Sequence, residues 1–405
     1  MTLVSGTDPF AETEDQQALR AFARDVADRE LAPRARHWDE TEEFPQASWD
    51  AIRKAELFGI TIGERYGGMG MGDIEAAIVL EELARADVSS AILAQLTFNG
   101  PPRAIEHLGS DALKERWLPL AATGEALFCI GISETEAGSA VNHMRARLTP
   151  DGDGYRLNAY KNYVTGGHKA RACLVWCHFP GGEGSKGIGA VVVDLAADGV
   201  SVAGTHQKMG LRGTSEAELA FDDVRIDPGD VLLAADPTTN DSFKTLIAHI
   251  NHERCGNAAM CIGAAQGALE YAVRYMNERT IGDRPLAKLQ GLQWKIADMA
   301  TQLDAARLLL QRAVRLAGPH GTPPALETAM AKASANLAAR FVCDEAIQCL
   351  GGYGYSREYP VERAYRDIRG LSIGAGTVEV QRNFIGTNVL AGRRTTSPGW
   401  RDPLR

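Results

Sequence analysis

The sequence carries no excess of positive charge: 43 lysine and arginine residues stand against 52 aspartate and glutamate residues, a formal net charge of −9. Proteins that bind nucleic acids or anionic membranes need a basic surface, so this balance argues against both classes. No stretch approaches the about 18 consecutive apolar residues of a membrane-spanning helix. The first residues also lack the basic and apolar regions of a secretory signal peptide. We therefore expect a cytoplasmic protein with no nucleic-acid partner and no membrane span.

Paired cysteines are also missing. None of the seven cysteines belongs to a Cys-x-x-Cys pair, and their number is odd. A chain of 405 residues can bury a large core without disulfide or metal cross-links. We therefore expect reduced, buried cysteines that behave as small apolar residues. They are Cys129, Cys173, Cys177, Cys255, Cys261, Cys343 and Cys349.

What the sequence does contain is a change of periodicity along the chain. Residues 1–126 show helical spacing of apolar side chains, residues 127–236 break into short β-like runs, and residues 237–392 return to helical spacing. Residues 393–405 form a polar, basic tail that we expect to be loose. The sequence predicts a mainly α protein with a central antiparallel β barrel or sandwich, because no helix of the middle region is long enough to connect parallel strands. The longest predicted helices cover residues 241–279, 289–316 and 325–349.

Two segments resemble binding motifs only superficially. ERYGGMGMGD is rich in glycine but lies between predicted helices, whereas a dinucleotide-binding G-x-G-x-x-G loop follows a strand. HINHERCG contains His249, His252 and Glu253, but the spacing is not H-E-x-x-H and no third ligand with suitable spacing follows. We predict an ordinary loop for the first segment and no metal site for the second.

Glu253 and Arg254 lie beside an apolar stripe of a predicted helix. A surface glutamate usually pairs with a side chain three or four positions away, but Gly256 and Asn257 follow Glu253 at that spacing. Arg254 likewise meets only Ile250 and Asn251 at that spacing behind it. The two charges are either solvated on the surface or face a cleft, where desolvation raises the pKa of a carboxylate. The pattern leaves both readings open.

Two small-residue turns meet helix ends further along the chain. GGYGY follows the predicted helix that contains Gln348, and glycine in the left-handed conformation commonly ends a helix there. A ligand can also lie against such an exposed backbone. SIGAGT, from Ser372 to Thr377, leads into a helix and so presents free N–H groups at its N-terminus.

Taken together and in order, these motifs resemble the acyl-CoA dehydrogenase family along nearly the whole chain. CIGISETEAGSA resembles the family's flavin-binding loop T-E-x-x-A-G-S-D, and NAYKNYVTGG its N-G-x-K-x-W-I-T-N-G strand. KMGLRGTSEAELAFDDVRI resembles the strand pair that closes the β domain. ERTIGDRPLAKLQ and QCLGGYGYSREYPVERAYRD resemble the family's E-R-x-x-F-G segment and its Q-x-x-G-G-x-G helix junction. The resemblance implies a helical domain, a β domain and a C-terminal four-helix bundle, assembled as a homotetramer that is a dimer of dimers.

The resemblance also implies FAD as the cofactor. Its flavin half would meet residues of the β domain: Ile132, Ser133, Ser139, Tyr163 beside the isoalloxazine ring, and Thr165 near the reactive nitrogen. Its pyrophosphate and adenosine half would meet residues of the C-terminal domain across a subunit interface: Arg279, Gln290, Gln348, Gly351 and Gly352. Thr377 and Glu379 would complete the pocket.

Several positions depart from the family pattern. Thr135, Ala140, Tyr163, Gly166 and Gly282 replace the usual Pro, Asp, Trp, Asn and Phe. The largest departure is Ala375, because most members place their catalytic glutamate there in E-G-T. The isovaleryl-CoA dehydrogenase branch also reads G-A-G-T and carries its base in an E-R dipeptide on the preceding long helix. Glu253–Arg254 match that dipeptide, so the resemblance implies that Glu253 is the base.

The implied reaction is α,β-dehydrogenation of an acyl-CoA. Glu253 would remove the α proton, the β hydrogen would leave as hydride to FAD, and the backbone N–H of Ala375 would stabilise the enolate together with a flavin hydroxyl. Small residues beside the acyl group favour a short or branched chain. The residues expected to line the substrate channel are Ser139, Asn251, Arg254, Gly374, Ala375 and Gly376. An electron-transfer flavoprotein would accept the electrons.

Three alternatives remain at this stage. The substrate could be an acyl or aminoacyl group on a carrier protein, since similar enzymes act on such thioesters. The fold could serve a flavin monooxygenase or a lyase, which stoichiometric oxygen consumption would indicate. The chain could also be a non-enzymatic subunit with a vestigial flavin site, which would purify as a colourless protein.

Overall fold

The structure, a computed structural model, describes residues 10–392, so the predicted tail at 393–405 lies outside the described residues. The first helix starts at Thr13, whose side chain accepts a hydrogen bond from the Gln16 backbone while the Gln16 side chain binds back to Thr13. This capping box satisfies two backbone donors that a helix start leaves free. The N-terminal α-helices are α1 (Glu14–Val26), α2 (Ala32–Thr41), α3 (Gln46–Lys54), α4 (Asp73–Ala86), α5 (Val88–Phe98), α6 (Pro101–Leu108) and α7 (Asp111–Ala122).

The middle of the chain forms one sheet of eight strands. They are β1 (Phe128–Gly131), β2 (Arg147–Asp151), β3 (Gly154–Thr165), β4 (Ala172–His178), β5 (Ile188–Asp194), β6 (Val200–Thr205), β7 (Glu216–Ile226) and β8 (Val231–Leu233). The order is β6-β7-β3-β2-β4-β5-β8, and β1 pairs with β4. The expectation of a barrel is wrong, because β6 and β8 do not pair with each other within residues 10–392.

The sheet is also not wholly antiparallel. β1 pairs with β4 in parallel, and β2 touches β4 in parallel at Arg147 and His178. The chain makes the crossover between β1 and β4 through the β2–β3 hairpin. The argument from sequence required a helix for such a crossover, and this hairpin replaces it.

β4 explains how the sheet is buried on both faces. Its sequence, ACLVWCH, is apolar without alternation, and all seven residues are buried. Leu174 and Trp176 pack with residues of α6, α7 and α8, whereas Val175 and Cys177 pack into a separate core against β3 and β7. A strand covered on both faces reads as a continuous apolar run. The seven cysteines are all free and buried, which confirms the prediction that they act as apolar residues.

The C-terminal part is again helical. Its elements are α8 (Asp241–Glu278), a short hairpin of β9 (Thr280–Ile281) and β10 (Arg284–Pro285), α9 (Gln290–Ala317), α10 (Ala325–Leu350), α11 (Pro360–Leu371) and α12 (Val378–Leu390). α8 packs between α4 and α10, and α10 also packs against α9 and α12. Gly263 lets α8 approach α4 closely, because a side chain there would clash with the carbonyl oxygen of Glu81. No helix among the described residues is long and apolar enough to cross a bilayer.

Candidate active site

Glu253 lies near the middle of α8 and is half-buried. Its backbone carbonyl accepts a hydrogen bond from Gln95 Nε2 at 3.0 Å, which fixes this turn of α8 against α5. Its carboxylate receives no hydrogen bond within residues 10–392. Burial raises its pKa to about 7, and the neighbouring charge of Arg254 only partly opposes that shift. Glu253 is therefore partly withdrawn from solvent rather than fully solvated, and a pKa of about 7 suits a general base that works near neutral pH.

Arg254 differs from the sequence-based expectation, which gave it no local partner. Its Nη1 donates to Asn251 Oδ1 at 2.9 Å, and its Nε donates to the backbone carbonyl of Ala375 at 3.2 Å. Asn251 is buried, and its Nδ2 donates to the carbonyl of Pro323 at 3.0 Å. Asn251 therefore orients Arg254, and Arg254 links the α8 turn that carries Glu253 to the turn that carries Ala375.

The turn between α11 and α12 has an unusual backbone. Ala375 has φ 55° and Gly376 φ 87°, both in the left-handed region, which a residue with a Cβ adopts only at an energetic cost. The buried Lys332 on α10 donates from Nζ to the carbonyl of Gly376 at 2.9 Å. Gln381 Nε2 donates to the same carbonyl at 3.3 Å. The backbone N–H of Ala375 donates to no group among residues 10–392. The turn therefore offers a rigid, free donor, and Arg254 connects this turn to the part of α8 that carries Glu253.

The loop after β1, which carries Ile132 and Ser133, is held against β3 by a buried lysine. Lys161 Nζ donates to the carbonyl of Ile132 at 3.1 Å and to Glu134 Oε1 at 2.8 Å. The backbone N–H of Asn162 donates to the carbonyl of Ser133 at 2.9 Å. The loop therefore has a fixed course, and Ser139 lies exposed further along it.

Tyr163 and Thr165 occupy the end of β3. Tyr163 has φ 54°, is 63% exposed, and stacks on His206 with ring centres 4.5 Å apart. Thr165 Oγ1 donates to the Glu216 carboxylate at 2.9 Å, directly across the β3–β7 pair. Burial raises the pKa of Glu216 to about 7, against the opposing charge of Lys208. The end of β3 thus presents the exposed ring of Tyr163 close to the hydroxyl of Thr165, which is hydrogen-bonded to Glu216.

The positions expected to bind adenosine gather in a second place. Arg279, Gln348, Gly351 and Gly352 line one cleft of about 860 Å³ where α8 ends and α10 ends. A Cβ added at Gly351 or Gly352 would meet no atom within 4 Å, so the backbone there is open to a ligand. Gln290 begins α9 nearby but is not among the lining residues and is exposed.

Thr377 and Glu379 begin α12. The Thr377 side chain accepts a hydrogen bond from the Val380 backbone at 3.2 Å and so caps the helix. Glu379 is exposed, and the backbone N–H groups of the helix start hold its pKa below the usual range. Gly374 is exposed in the same turn, ahead of Ala375.

Sequence reasoning missed three charged side chains around this site: Lys161 and Lys332 are buried, and Glu216 is half-buried. Lys332 interrupts the alanine-rich helix AMAKASAN, Lys161 lies in NAYKNYVTGG, and Glu216 opens a strand whose alternate residues are apolar. A single charged residue among apolar neighbours was the only indication of each in the sequence. The partner of each charge could not be predicted, because each contact joins distant parts of the chain.

Three family models match the chain, in the order of its helical, sheet and helical parts. The models are described as the N-terminal, middle and C-terminal domains of acyl-CoA dehydrogenase, and they match residues 13–125, 129–224 and 240–390.

Curated relatives resemble the chain over nearly its full length. It is 37% identical to cyclohex-1-ene-1-carbonyl-CoA dehydrogenase of Geobacter metallireducens, over 93% of this chain and 98% of the relative. It is 35% identical to acryloyl-CoA reductase (NADH) of Anaerotignum propionicum, over 94% and 96%.

Solved structures agree with the fold. Butyryl-CoA dehydrogenase from Megasphaera elsdenii superimposes with a TM-score of 0.89 at 31% identity, covering 95% of this chain and 100% of the other. A glutaryl-CoA dehydrogenase from Mycobacterium smegmatis in complex with FADH2 gives a TM-score of 0.87 at 26% identity, covering 96% and 98%.

Proposed function

The chain belongs to the acyl-CoA dehydrogenase family of flavoprotein oxidoreductases, and from that premise we propose that it is an FAD-dependent enzyme that desaturates an acyl-CoA between its α and β carbons. The observation that carries the proposal is the Glu253 carboxylate. It is half-buried, has a raised pKa, and is linked through Arg254 to the turn of Ala375. This placement on α8 agrees with the resemblance to the isovaleryl-CoA dehydrogenase branch.

In the proposed reaction Glu253 removes the proton from the α carbon. A pKa of about 7 leaves part of the carboxylate ionised at neutral pH while keeping it a better base than an exposed glutamate. The β hydrogen leaves with its bonding electrons, and FAD, when bound, supplies the acceptor for that hydride. The free N–H of Ala375 donates to the thioester oxygen as negative charge develops, and such a donor contributes about 3 kcal/mol.

The described residues fit FAD in two groups. Tyr163 presents an uncovered ring face, Thr165 a hydroxyl, and the loop of Ile132 and Ser133 a fixed backbone for the flavin end. The open cleft at Gly351 suits the adenosine end. The complex of the glutaryl-CoA dehydrogenase relative with FADH2 supports the same cofactor here.

We propose a short or branched acyl group as substrate. Gly374 and Ala375 place little side-chain volume beside the acyl end, Ser139 lies exposed on the flavin loop, and Asn251 acts through Arg254. The names of two relatives, which specify acryloyl-CoA and cyclohex-1-ene-1-carbonyl-CoA, support small acyl groups. The first of these relatives is a reductase, so the same site could also run toward the saturated thioester.

We also propose a homotetramer, a dimer of dimers, in which a neighbouring subunit covers the adenosine cleft. Ile281 and Tyr353 line this cleft and are 63% and 46% exposed. Large apolar side chains exposed together commonly mark an interface. An electron-transfer flavoprotein as electron acceptor and a cytoplasmic location complete the proposal.

Anaerobic titration of the purified protein with a panel of acyl-CoAs tests this function. The protein should be yellow, should release FAD on denaturation, and should bleach with propionyl-, isobutyryl- or isovaleryl-CoA faster than with palmitoyl-CoA. Release of FMN, or no flavin binding after reconstitution, would refute the proposal. Bleaching only by carrier-protein thioesters, or stoichiometric oxygen consumption, would favour the two enzymatic alternatives, and reduced protein that oxidises with enoyl-CoA would favour the reductase direction.

A further inference from the structure

Three histidines meet where α6 packs against α8. His249 and His252 lie one turn apart on α8, and His107 reaches them from the end of α6. Their ring centres are separated by 5.3 Å, 5.6 Å and 4.9 Å. The sequence-based prediction of no metal site rested on a missing third ligand after His252. The fold supplies that third imidazole from a distant part of the chain.

The spacing of the rings suits a small metal ion. Each histidine offers one nitrogen, and the three nitrogens lie within 4.8 Å of one another. Zinc binds imidazole nitrogen at about 2.0 Å in tetrahedral geometry, which places the centres of two bound rings about 5 Å apart. The measured ring separations bracket that value, so small side-chain rotations would bring the nitrogens to ligand distance.

The free nitrogens of the two buried rings are the stronger observation. His252 is 0% exposed and His249 9% exposed, yet the Nε2 atom of each is buried and has no hydrogen-bond partner among the described residues. Buried polar atoms nearly always have a partner, so two such atoms in one cluster call for an explanation. A shared ligand between them satisfies both at once.

The opposite side of the His252 ring is already held. His252 Nδ1 lies 2.9 Å from Asp73 Oδ1. A carboxylate partner of this kind fixes the tautomer of a histidine ligand in metal sites and leaves the other nitrogen for the metal. Asp73 also pairs with Arg103 at 3.2 Å, so its negative charge offsets the nearby guanidinium.

The cluster is reachable from solvent on one side. His107 is exposed, which gives an ion a path from solvent.

We propose that His107, His249 and His252 form a binding site for a divalent transition metal of the zinc type, with water as the fourth ligand. Imidazole ligands suit zinc, cobalt, nickel and copper, whereas magnesium and calcium prefer oxygen ligands. The ion would cross-link α6 to α8 in the turn that precedes Glu253. The site does not depend on the proposed dehydrogenase reaction.

Cobalt titration of the tag-free, flavin-containing full chain, stripped of metals by a chelator, tests the proposal. We expect one Co²⁺ per chain with the visible absorption of a tetrahedral ion, displaced by one equivalent of Zn²⁺ but not by Mg²⁺. Zinc should also raise the thermal unfolding midpoint, because a ligand that binds only the folded state stabilises it.

His107→Ala removes the exposed ligand without opening the core and should weaken Co²⁺ binding at least about tenfold, the low end for disturbing a metal site. His249→Ala should do the same. His37→Ala, an exposed histidine outside the cluster, is the matched control and should bind like the original protein. Equal binding by the His107 variant and the control, or no stoichiometric binding by the original protein, would overturn the proposal; flavin content and circular dichroism verify that each variant is folded.

Discussion

Two acids of the C-terminal helices, Glu253 on α8 and Asp367 on α11, both have a pKa of about 7 but differ in burial and in hydrogen bonding. Asp367 is 2% exposed, and its Oδ1 accepts a hydrogen bond from the backbone of Leu211 at 2.6 Å. Leu211 has φ 53°, so this bond holds a strained loop between β6 and β7. Glu253 is only half-buried, and no described donor reaches its carboxylate.

The two acids show that a raised pKa indicates burial and does not by itself indicate a catalytic role. Desolvation is the largest cause of both raised pKa values, so the shift alone marks a buried acid and not a base. The Asp367 carboxylate accepts a hydrogen bond from the Leu211 backbone and so serves the fold. The Glu253 carboxylate accepts no hydrogen bond from the described residues, and Arg254 ties its turn of helix to the backbone carbonyl of Ala375.

Removing one carboxylate at a time is the sharpest test of the proposed difference between Glu253 and Asp367. Glu253→Gln keeps size and polarity but cannot accept the proton, so we expect flavin reduction by substrate to slow at least about a hundredfold. Asp367→Asn should leave that rate within about twofold, because it keeps the acceptor for Leu211. Stopped-flow reduction under anaerobic conditions measures both. A Glu253→Gln protein that binds FAD and reacts at the original rate would end the assignment of the base.

Moving the carboxylate sharpens the same test. The variant that combines Glu253→Gln with Ala375→Glu should recover part of the lost rate, at least about tenfold, because it restores a base where most family members place one. Ala375 already adopts φ 55°, so another side chain with a Cβ adds little backbone strain. Lost flavin in Glu253→Gln without any rescue would instead indicate a structural role.

Arg254→Lys probes the link between base and turn. A lysine carries one point charge and cannot reproduce the two directed hydrogen bonds to Ala375 and Asn251. We expect the reduction rate to fall about tenfold, with the dissociation constant for FAD unchanged, as measured by stopped flow and by flavin fluorescence. An unchanged rate would show that the link does not position the reacting groups.

The pH dependence of reduction should follow Glu253. The base works when ionised, so the rate should rise about tenfold per pH unit below the pKa and level off above pH 7. The residual rate of Glu253→Gln should lack this inflection. A profile that keeps its midpoint in the variant would assign the titration to another group.

The smallest expected effect is on stability and belongs to Asp367. Its folded pKa is raised, so the unfolded chain loses this proton at lower pH than the folded chain, and the stabilisation is lost as pH rises from about 4 to about 7. Asp367→Asn cannot ionise, so its unfolding free energy relative to the original protein should improve by about 1–3 kcal/mol from pH 4 to pH 8. Urea unfolding at both pH values checks this, and a constant difference would contradict it.

Much of the fold could be predicted from local patterns in the sequence. The predicted helix at 241–279 is α8 to within one residue, because its apolar stripe is long and uninterrupted. The barrel was wrong because β6 and β8 do not pair within residues 10–392, and whether end strands pair depends on contacts distant in sequence. The missing partner at helical spacing left two readings open for Glu253, and only the resemblance to the E-R dipeptide made it the candidate base. Lys332, Glu216 and the approach of His107 to α8 were not found, because their contacts exist only after distant elements have packed.

The guanidinium of Arg254 also affects how α8 and the turn of Ala375 move relative to each other. It joins α8 directly to the carbonyl of Ala375. When α8 shifts by a fraction of an ångström, the turn is pulled in the same direction, so the displacements of the proposed base and of the Ala375 backbone should be correlated. The separation between the carboxylate and the N–H of Ala375 should therefore fluctuate less than the position of either group.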